Sequence, residues 1–125
     1  MRGGDALVET LIACGVDTAF SVPGESYLPI LDAIKRNQNA IRLVTPRHEQ
    51  GVTFAAEAYG KLTGRPAAGF VSRGPGATNA SIGVHTAAQD STPMVLFIGQ
   101  VPTTTRGREA FQEIDLQMMF GSIAK

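Results

Sequence analysis

The stretch Ile41-Arg42-Leu43-Val44-Thr45-Pro46-Arg47-His48-Glu49-Gln50-Gly51 joins an apolar segment typical of a β-strand to the start of a helix. Pro46 ends the strand, and Glu49 then opens a helix, whose first turn favours a negative charge. In an open sheet of parallel strands, ligands bind beyond the carboxyl ends of the strands. Glu49 is therefore either a functional carboxylate at that edge or an acidic residue that only stabilises a helix terminus.

The composition predicts a single globular domain over residues 1–125. With 43% hydrophobic and 18% charged residues, the chain can bury a core. Eleven basic and eleven acidic residues leave no net charge, so we expect neither a nucleic acid nor a membrane partner. No apolar run approaches the roughly 20 residues of a membrane span, and no secretory signal opens the chain, so a cytoplasmic location is the default expectation.

The single cysteine, Cys14, falls on a helical apolar stripe and is expected in the core.

Predicted helices and short strands alternate along the chain. Strands are expected at 18–22, 41–45, 67–72 and 94–99, and helices at 5–14, 27–36, from Glu49 to a stop at Gly64, at 78–89, and from Asp115 through Ile123. Asp5 and Ser26 are the expected N-caps of the first two helices. The alternation predicts an α/β fold with a doubly wound, mostly parallel sheet and helices on both faces.

Three segments that follow strands are expected at one edge of this sheet: 23–26, 46–49 and 74–79. The third resembles a phosphate-binding loop, because glycines before a helix leave backbone N–H groups free for an anion. It lacks the Gly-Lys-Ser/Thr ending of a P-loop, so a tight strand-to-helix turn is the favoured interpretation. His48 is interpreted as structural, and two histidines with one cysteine predict no metal site in this chain.

Several motifs occur in a fixed order, and together they are far more specific than any one of them. They are Phe20-Ser21-Val22-Pro23-Gly24, Arg47-His48-Glu49-Gln50-Gly51, Ala56-Glu57-Ala58-Tyr59-Gly60, Gly74-Pro75-Gly76-Ala77-Thr78-Asn79, Gly99-Gln100-Val101-Pro102 and Ala110-Phe111-Gln112-Glu113. The set closely resembles the N-terminal, pyrimidine-binding domain of thiamine-diphosphate enzymes, and its nearest branch resembles acetolactate synthase. The resemblance covers nearly the whole chain and implies the flavodoxin-like fold of that family.

The resemblance implies a role for Glu49. In that family the matching glutamate hydrogen-bonds a ring nitrogen of the cofactor's aminopyrimidine, which then takes the proton from the thiazolium carbon that attacks a 2-keto acid. Carried over in the same way, the cofactor-binding residues are Val22, Pro23, Gly24, Glu49, Pro75, Asn79 and Gln112, and the residues on the substrate side are Glu25 and Phe111. Glu49 is the one expected catalytic residue.

Three residues depart from the pattern of acetolactate synthases. Ser21 and Glu25 stand where those enzymes usually have glycines, and Arg73 stands where they have a small residue. A charged Glu25 near the reacting centre would alter which acceptor fits. The substrate is therefore open, and relatives of acetolactate synthase that act on oxalyl-coenzyme A, sulfoacetaldehyde or benzoylformate remain alternatives.

The resemblance also implies a longer enzyme than this chain. A middle domain and a second thiamine-binding domain, which holds Mg²⁺ and the diphosphate, are expected elsewhere, so the chain is interpreted as a C-terminally truncated fragment that is inactive alone. Expected partners are a second copy in a homodimer or higher homo-oligomer, the missing domain, and a small 2-keto acid. The alternatives are a separate small subunit of a two-chain thiamine-dependent decarboxylase and a non-catalytic flavodoxin-like binding module.

Overall fold

A computed structural model, which describes residues 1–125, contains four strands: β1 (Thr18–Ser21), β2 (Arg42–Val44), β3 (Ala67–Val71) and β4 (Met94–Ile98). They form one parallel sheet in the order β2-β1-β3-β4. Phe20 of β1 is in register with Val44 of β2 and with Gly69 of β3, and Gly69 is in register with Leu96 of β4. The predicted parallel sheet is confirmed, and each strand is one or two residues shorter than expected.

Helices cover both faces of the sheet. They are α1 (Gly3–Ala13), α2 (Leu28–Arg36), preceded by a 3₁₀ turn at Glu25–Tyr27, α3 (Glu49–Thr63), α4 (Arg73–Asp90) and α5 (Leu116–Phe120). Successive residues of a strand point to opposite faces, and Ala19 accordingly packs in the cluster with α1 and α2 while Phe20 packs with α3 and α4. All five residues of β3 are buried, as expected for a parallel strand covered on both faces. The doubly wound α/β fold is thereby confirmed.

The largest difference from prediction is the start of α4, which lies at Arg73 rather than near residue 78. Gly74, Pro75 and Gly76 form its first turn instead of a loop. This is possible because the first N–H groups of a helix have no intrahelical acceptor, so a proline there gives up no helical bond. The predicted tight strand-to-helix turn is confirmed in a more compact form, and the helix begins directly after Ser72.

Other helix ends also differ from the sequence predictions. Arg2, not Asp5, is the N-cap of α1, and Asp5 instead accepts a hydrogen bond from the Arg2 N–H at 3.3 Å. Ser26 does not cap α2, because the chain passes through a 3₁₀ turn first. Cys14 is exposed, since it follows the last residue of α1 and leaves the apolar stripe. Asp115 does cap α5, with Oδ1 accepting from the Met118 N–H at 2.9 Å, but the helix ends at Phe120.

The strand order creates a switch point beside β1. The chain leaves β1 through α2 toward β2, and it returns over β1 through α3 to reach β3. In sheets of this topology the crevice beyond the carboxyl ends of the strands at the switch point binds ligands. Because all four strands are parallel, Pro23, Glu49 and Gly76 lie at this one edge, as predicted. No helix of the chain is both long enough and apolar enough to cross a membrane.

Candidate functional site

Glu49 is the first residue of α3, at the carboxyl end of β2. His48 is the N-cap, in an extended conformation, and its Nδ1 accepts a hydrogen bond from the Gln50 N–H at 3.2 Å. The imidazole therefore caps the N-terminus of α3, which agrees with the structural role predicted for His48. Because His48 is the N-cap, the Glu49 side chain does not cap the helix. Glu49 is partly exposed at the carboxyl edge of the sheet.

Asn79 of α4 holds one oxygen of that carboxylate. Its Nδ2 donates to Oε2 of Glu49 at 2.9 Å, whereas Oε1 of Glu49 makes no hydrogen bond within the chain. An amide donor on one oxygen restricts the rotation of the carboxyl group and leaves the other oxygen available to a ligand. The sequence reasoning named both residues as cofactor-binding, and the structure brings them into contact.

Close packing of α3 on α4 makes this contact possible. The Thr53 hydroxyl donates to the Ala80 carbonyl at 2.9 Å, and a side chain at Gly83 would overlap Thr53. Small residues on facing helices let their backbones approach. The contact of Thr53 with Ala80 and Gly83 thus brings α3 close to α4, on which Glu49 and Asn79 lie.

Tyr27 is a buried residue at this edge that sequence reasoning did not select. Its hydroxyl donates to the Val22 carbonyl and accepts from the Ser21 hydroxyl at 3.3 Å. Burial raises the pKa of the Tyr27 hydroxyl above its ordinary value of 10.0, and the negative charge of Glu49 raises it further. The phenol therefore stays protonated at neutral pH and fixes the end of β1. A tyrosine three residues after Gly24, beside the predicted edge, was the signal that could have identified it.

The segment after β1 packs closely on the segment after β3. A β-carbon on Gly24 would lie 2.9 Å from Cβ of Ser72, and the hydroxyls of Ser26 and Ser72 are 3.2 Å apart. Only glycine permits this approach without displacing its neighbours. Val22 is partly buried beneath the site, while Pro23 is exposed at its surface. These three predicted residues, Val22, Pro23 and Gly24, lie in the middle of the edge, between Glu49 and the start of α4.

The first turn of α4 does not offer the free cradle of N–H groups that the glycines indicated. The Gly74 N–H donates to the Gln112 carbonyl at 2.8 Å, the Gly76 N–H donates to the Ser72 carbonyl at 2.8 Å, and Pro75 has no N–H. The resemblance to a phosphate-binding loop is therefore wrong as a description of this turn. Pro75 itself is exposed at the edge.

The segment 110–112 crosses the start of α4. Gln112 has a φ of +63°, and its carbonyl oxygen points to Gly74. Phe111 is 71% exposed, with its ring centroid 6.0 Å from the guanidinium carbon of Arg73. Both predicted residues thus lie beside the first turn of α4, on the side of the edge away from Glu49.

Arg73 and Glu25, two of the three departures noted above, form an ion pair. Nη1 of Arg73 lies 3.4 Å from Oε1 of Glu25, and the side chains are 14% and 72% exposed. Nε of Arg73 is buried and has no hydrogen-bond partner. Sequence reasoning noted both residues but did not predict their contact.

One cavity lies away from this edge. It measures about 550 Å³, is bounded by the loop and helix between residues 100 and 117, and includes none of the predicted site residues. No group of three or more His, Cys, Asp or Glu side chains is placed to hold a metal ion. This cavity is therefore separate from the edge that holds Glu49.

A flavodoxin-like parallel sheet with a carboxylate at the switch-point edge defines a class of α/β domain that binds ligands beyond its strand ends. The sequence matches, over residues 1–119, the family described as thiamine pyrophosphate enzyme, N-terminal TPP binding domain. The chain belongs to this family. The resemblance predicted from the motifs is therefore confirmed, and the match does not favour a non-catalytic flavodoxin-like module.

Curated relatives narrow the resemblance to one group of these enzymes. The chain is 46% identical over 118 residues to the acetolactate synthase large subunit of Parasynechococcus marenigrum, with 93% of this chain and 19% of the relative covered. It is 44% identical over 124 residues to the chloroplastic acetolactate synthase of Arabidopsis thaliana, with 99% and 18% covered. The mitochondrial catalytic subunit of acetolactate synthase from Saccharomyces cerevisiae is 43% identical over 116 residues, with 93% and 17% covered. The chain thus spans about a fifth of the length of these relatives.

Proposed function

We propose that this chain is the pyrimidine-binding part of an acetolactate synthase-like enzyme that decarboxylates and joins 2-keto acids with thiamine pyrophosphate. The observation that carries the proposal is the carboxylate of Glu49, held on one oxygen by Asn79 and open on the other at the switch-point edge. The family match and the acetolactate synthase relatives support the same assignment.

The residues at this edge fit the pyrimidine end of that cofactor. The open Oε1 of Glu49 can exchange a hydrogen bond and a proton with a ring nitrogen, and Asn79 keeps the carboxyl group oriented while it does so. When bound, the cofactor supplies a thiazolium carbon that attacks a carbonyl and a ring that accepts electrons. Glu49 is the proposed catalytic residue of this chain because its carboxyl group would give a proton to the pyrimidine nitrogen and take it back.

The other proposed roles follow from position along the edge. Val22, Pro23 and Gly24 form the floor beside Glu49, and Tyr27 fixes that floor through the Val22 carbonyl. Pro75 and Gln112 lie at the start of α4, and their proposed contact is with the cofactor. Glu25 and Phe111, which are exposed beside Arg73, are proposed to face the substrate.

Several partners of this chain are proposed to lie outside it. No group of three or more His, Cys, Asp or Glu side chains is placed to hold magnesium, so we assign the metal, with the diphosphate group that it would neutralise, to a further domain or subunit. A homodimer or higher homo-oligomer is proposed on the likeness to acetolactate synthase subunits. The cytoplasmic location stays a prediction, and the relatives include proteins named chloroplastic and mitochondrial.

Residues 1–125 alone are expected to bind thiamine pyrophosphate more weakly than micromolar. One hydrogen bond to Glu49 and a few contacts at the edge contribute about 1 kcal/mol each, whereas micromolar affinity takes about 8 kcal/mol. Isothermal titration with the cofactor and magnesium measures this. Saturable micromolar binding would show that the diphosphate site lies within this chain.

The decisive experiment uses the complete enzyme, loaded with thiamine pyrophosphate and magnesium. Proton–deuterium exchange at the thiazolium carbon is followed by NMR after quenching. We expect exchange at least about tenfold faster than in free cofactor, since a positioned acid–base group contributes about 10²- to 10⁴-fold. Exchange at the rate of the free cofactor would overturn the proposed function.

A further inference from the structure

Arg73 is an unusual arginine in its surroundings. It is the first residue of α4, has a φ of +27°, and is only 14% exposed. A guanidinium carries five N–H donors, yet this one makes a single hydrogen bond, from Nη1 to Glu25 at 3.4 Å. Its Nε is buried without a partner. Burying a charged group with so few partners costs free energy unless a ligand completes its hydrogen bonds.

Glu25 is a weak partner for this guanidinium. The separation of 3.4 Å is at the long end for a hydrogen bond, and Glu25 is 72% exposed. An ion pair with an exposed partner contributes little, because water solvates the carboxylate nearly as well once it is released. The ring of Phe111, 71% exposed, borders the guanidinium on another side. Two solvent-facing side chains, those of Glu25 and Phe111, therefore border the guanidinium of Arg73.

Arg73 and Glu49 lie at the same edge of the sheet but follow different strands. Glu49 follows β2 and Arg73 follows β3, and β1 lies between these strands. The strands β2 and β3 are two strand spacings apart, which is about 10 Å. The segment Val22–Gly24 follows β1, the strand that lies between β2 and β3. A ligand that reaches along this crevice from Glu49 meets Arg73 at the other end.

We propose that Arg73 binds a carboxylate of the substrate, and that Glu25 occupies the guanidinium until the substrate carboxylate replaces it. The planar fork of an arginine matches a carboxylate in two parallel hydrogen bonds, which supplies the partners that Arg73 lacks. This inference rests on the proposed function, because it takes the ligand of this edge to be a 2-keto acid. It assigns the substrate side of the site to an anion and makes Arg73 a specificity-determining residue.

The test is an isothermal titration of the complete enzyme with oxamate, a carboxylate analogue of 2-keto acids, with and without thiamine pyrophosphate. Arg73→Gln is expected to weaken oxamate binding about tenfold to a hundredfold, and Arg73→Lys less, because it keeps the charge but loses the fork. Glu25→Gln is expected to tighten binding severalfold, since it removes the competing carboxylate. Arg108→Gln, the same charge change in an exposed loop, is the matched control and leaves binding unchanged.

The opposite signs of the Glu25 and Arg73 variants distinguish a ligand site from a structural ion pair. Equal weakening in both variants, or unchanged oxamate affinity in Arg73→Gln, overturns the inference. Pyruvamide, the uncharged analogue, should bind all variants alike, and tighter binding of inorganic phosphate than of oxamate would assign Arg73 to a phosphate instead and overturn the proposal.

Proton–deuterium exchange at the thiazolium carbon, measured in the wild-type enzyme, distinguishes failure of this proposal from failure of the proposed function. Normal exchange with no discrimination of oxamate by Arg73 overturns the present inference alone. Absent exchange with the predicted oxamate pattern overturns the proposed function alone and supports Arg73 as a carboxylate site.

Discussion

The charged side chains at the two edges of the sheet differ in how completely they are paired by hydrogen bonds within the chain. At the amino edge, Asp17 accepts hydrogen bonds from the Tyr59 hydroxyl and from the Thr18 hydroxyl, the latter at 2.8 Å. Arg65 completes this group: its Nη2 lies 2.9 Å from Oδ2 of Asp17 and donates to the Tyr59 oxygen at 2.9 Å. Every member of the amino-edge group thus has a partner within the chain.

At the carboxyl edge, the charged groups are left incomplete. Glu49 has one partner on one oxygen, and Nε of Arg73 has none. A polar network whose members are all paired adds rigidity, whereas an incomplete one costs stability. The contrast indicates that the amino edge stabilises the fold, while the carboxyl edge keeps hydrogen-bonding capacity for a ligand. Variants at the two edges should therefore separate stability from function.

The largest effect is expected for Glu49→Gln. In the complete enzyme, exchange at the thiazolium carbon should fall by about two to four orders of magnitude, because the amide cannot give and take the proton. Asn79 can still bond to the amide oxygen, so the thermal unfolding midpoint should stay unchanged. Quenched-exchange NMR measures the first quantity and circular dichroism the second.

Glu9→Gln, the same change on the exposed surface of α1, is the control and should leave both quantities alone. If Glu49→Gln exchanged at the wild-type rate, Glu49 would be a structural acid, and the functional contrast between the edges would disappear.

Asn79→Ala should produce the next largest effect. Loss of the hydrogen bond to Oε2 frees the carboxyl group to rotate, and a hydrogen bond to a charged group is worth about tenfold in rate when it orients a catalytic residue. Exchange at the thiazolium carbon should slow about tenfold with little change in cofactor affinity. Asn39→Ala, on an exposed turn, serves as the matched variant. Equal rates in the two variants would mean that Asn79 does not position Glu49.

At the amino edge, Asp17→Asn should reverse this pattern. It removes the charge that pairs with Arg65 and weakens the hydrogen bond from Tyr59, so we expect about 1 kcal/mol of destabilisation, a modest value because the pair is partly exposed. Thiazolium exchange should stay at the wild-type rate. Thermal unfolding followed by circular dichroism measures the stability, and a loss of exchange without a loss of stability would break the proposed division between the edges.

The smallest effect concerns pH. Hydrogen bonds from Tyr59 and Thr18, with the charge of Arg65, hold the pKa of Asp17 below its ordinary value of 3.8. A carboxyl group with a lowered pKa stabilises the folded state above its unfolded pKa, and this contribution is lost as the pH falls through the folded pKa. The difference in unfolding midpoint between wild type and Asp17→Asn should thus be constant from about pH 6 to pH 5 and shrink only below about pH 4.

Unfolding scans of both proteins across this range measure the effect, and subtraction removes the contributions of other acidic groups. A difference that shrinks between about pH 6 and pH 5 would point to a different titrating group and would contradict the assignment to Asp17.

Local sequence patterns were sufficient to predict the sheet and the edge that holds Glu49. The apolar runs at β3 and β4 and the glycines and prolines that follow the strands act over a few residues, so their consequences can be derived without tertiary contacts. The start of α4 could not be derived in this way. Gly74-Pro75-Gly76 has low helix propensity, and its helical turn is stabilised by the distant Gln112 carbonyl, so tertiary structure overrides the local preference.

The sequence by itself determined the family, the parallel α/β fold and the identity of Glu49 as the candidate catalytic residue, because ordered motifs and hydrophobic periodicity are properties of the chain. Only the tertiary structure decided which side chains meet: Asn79 with Glu49, Tyr27 with the end of β1, and Arg73 with Glu25. These pairs are formed by the close packing of α3 on α4 and of the segment after β1 on the segment after β3. Hydrogen bonding acts over about 3 Å, and no local pattern reports which distant residues come within that distance.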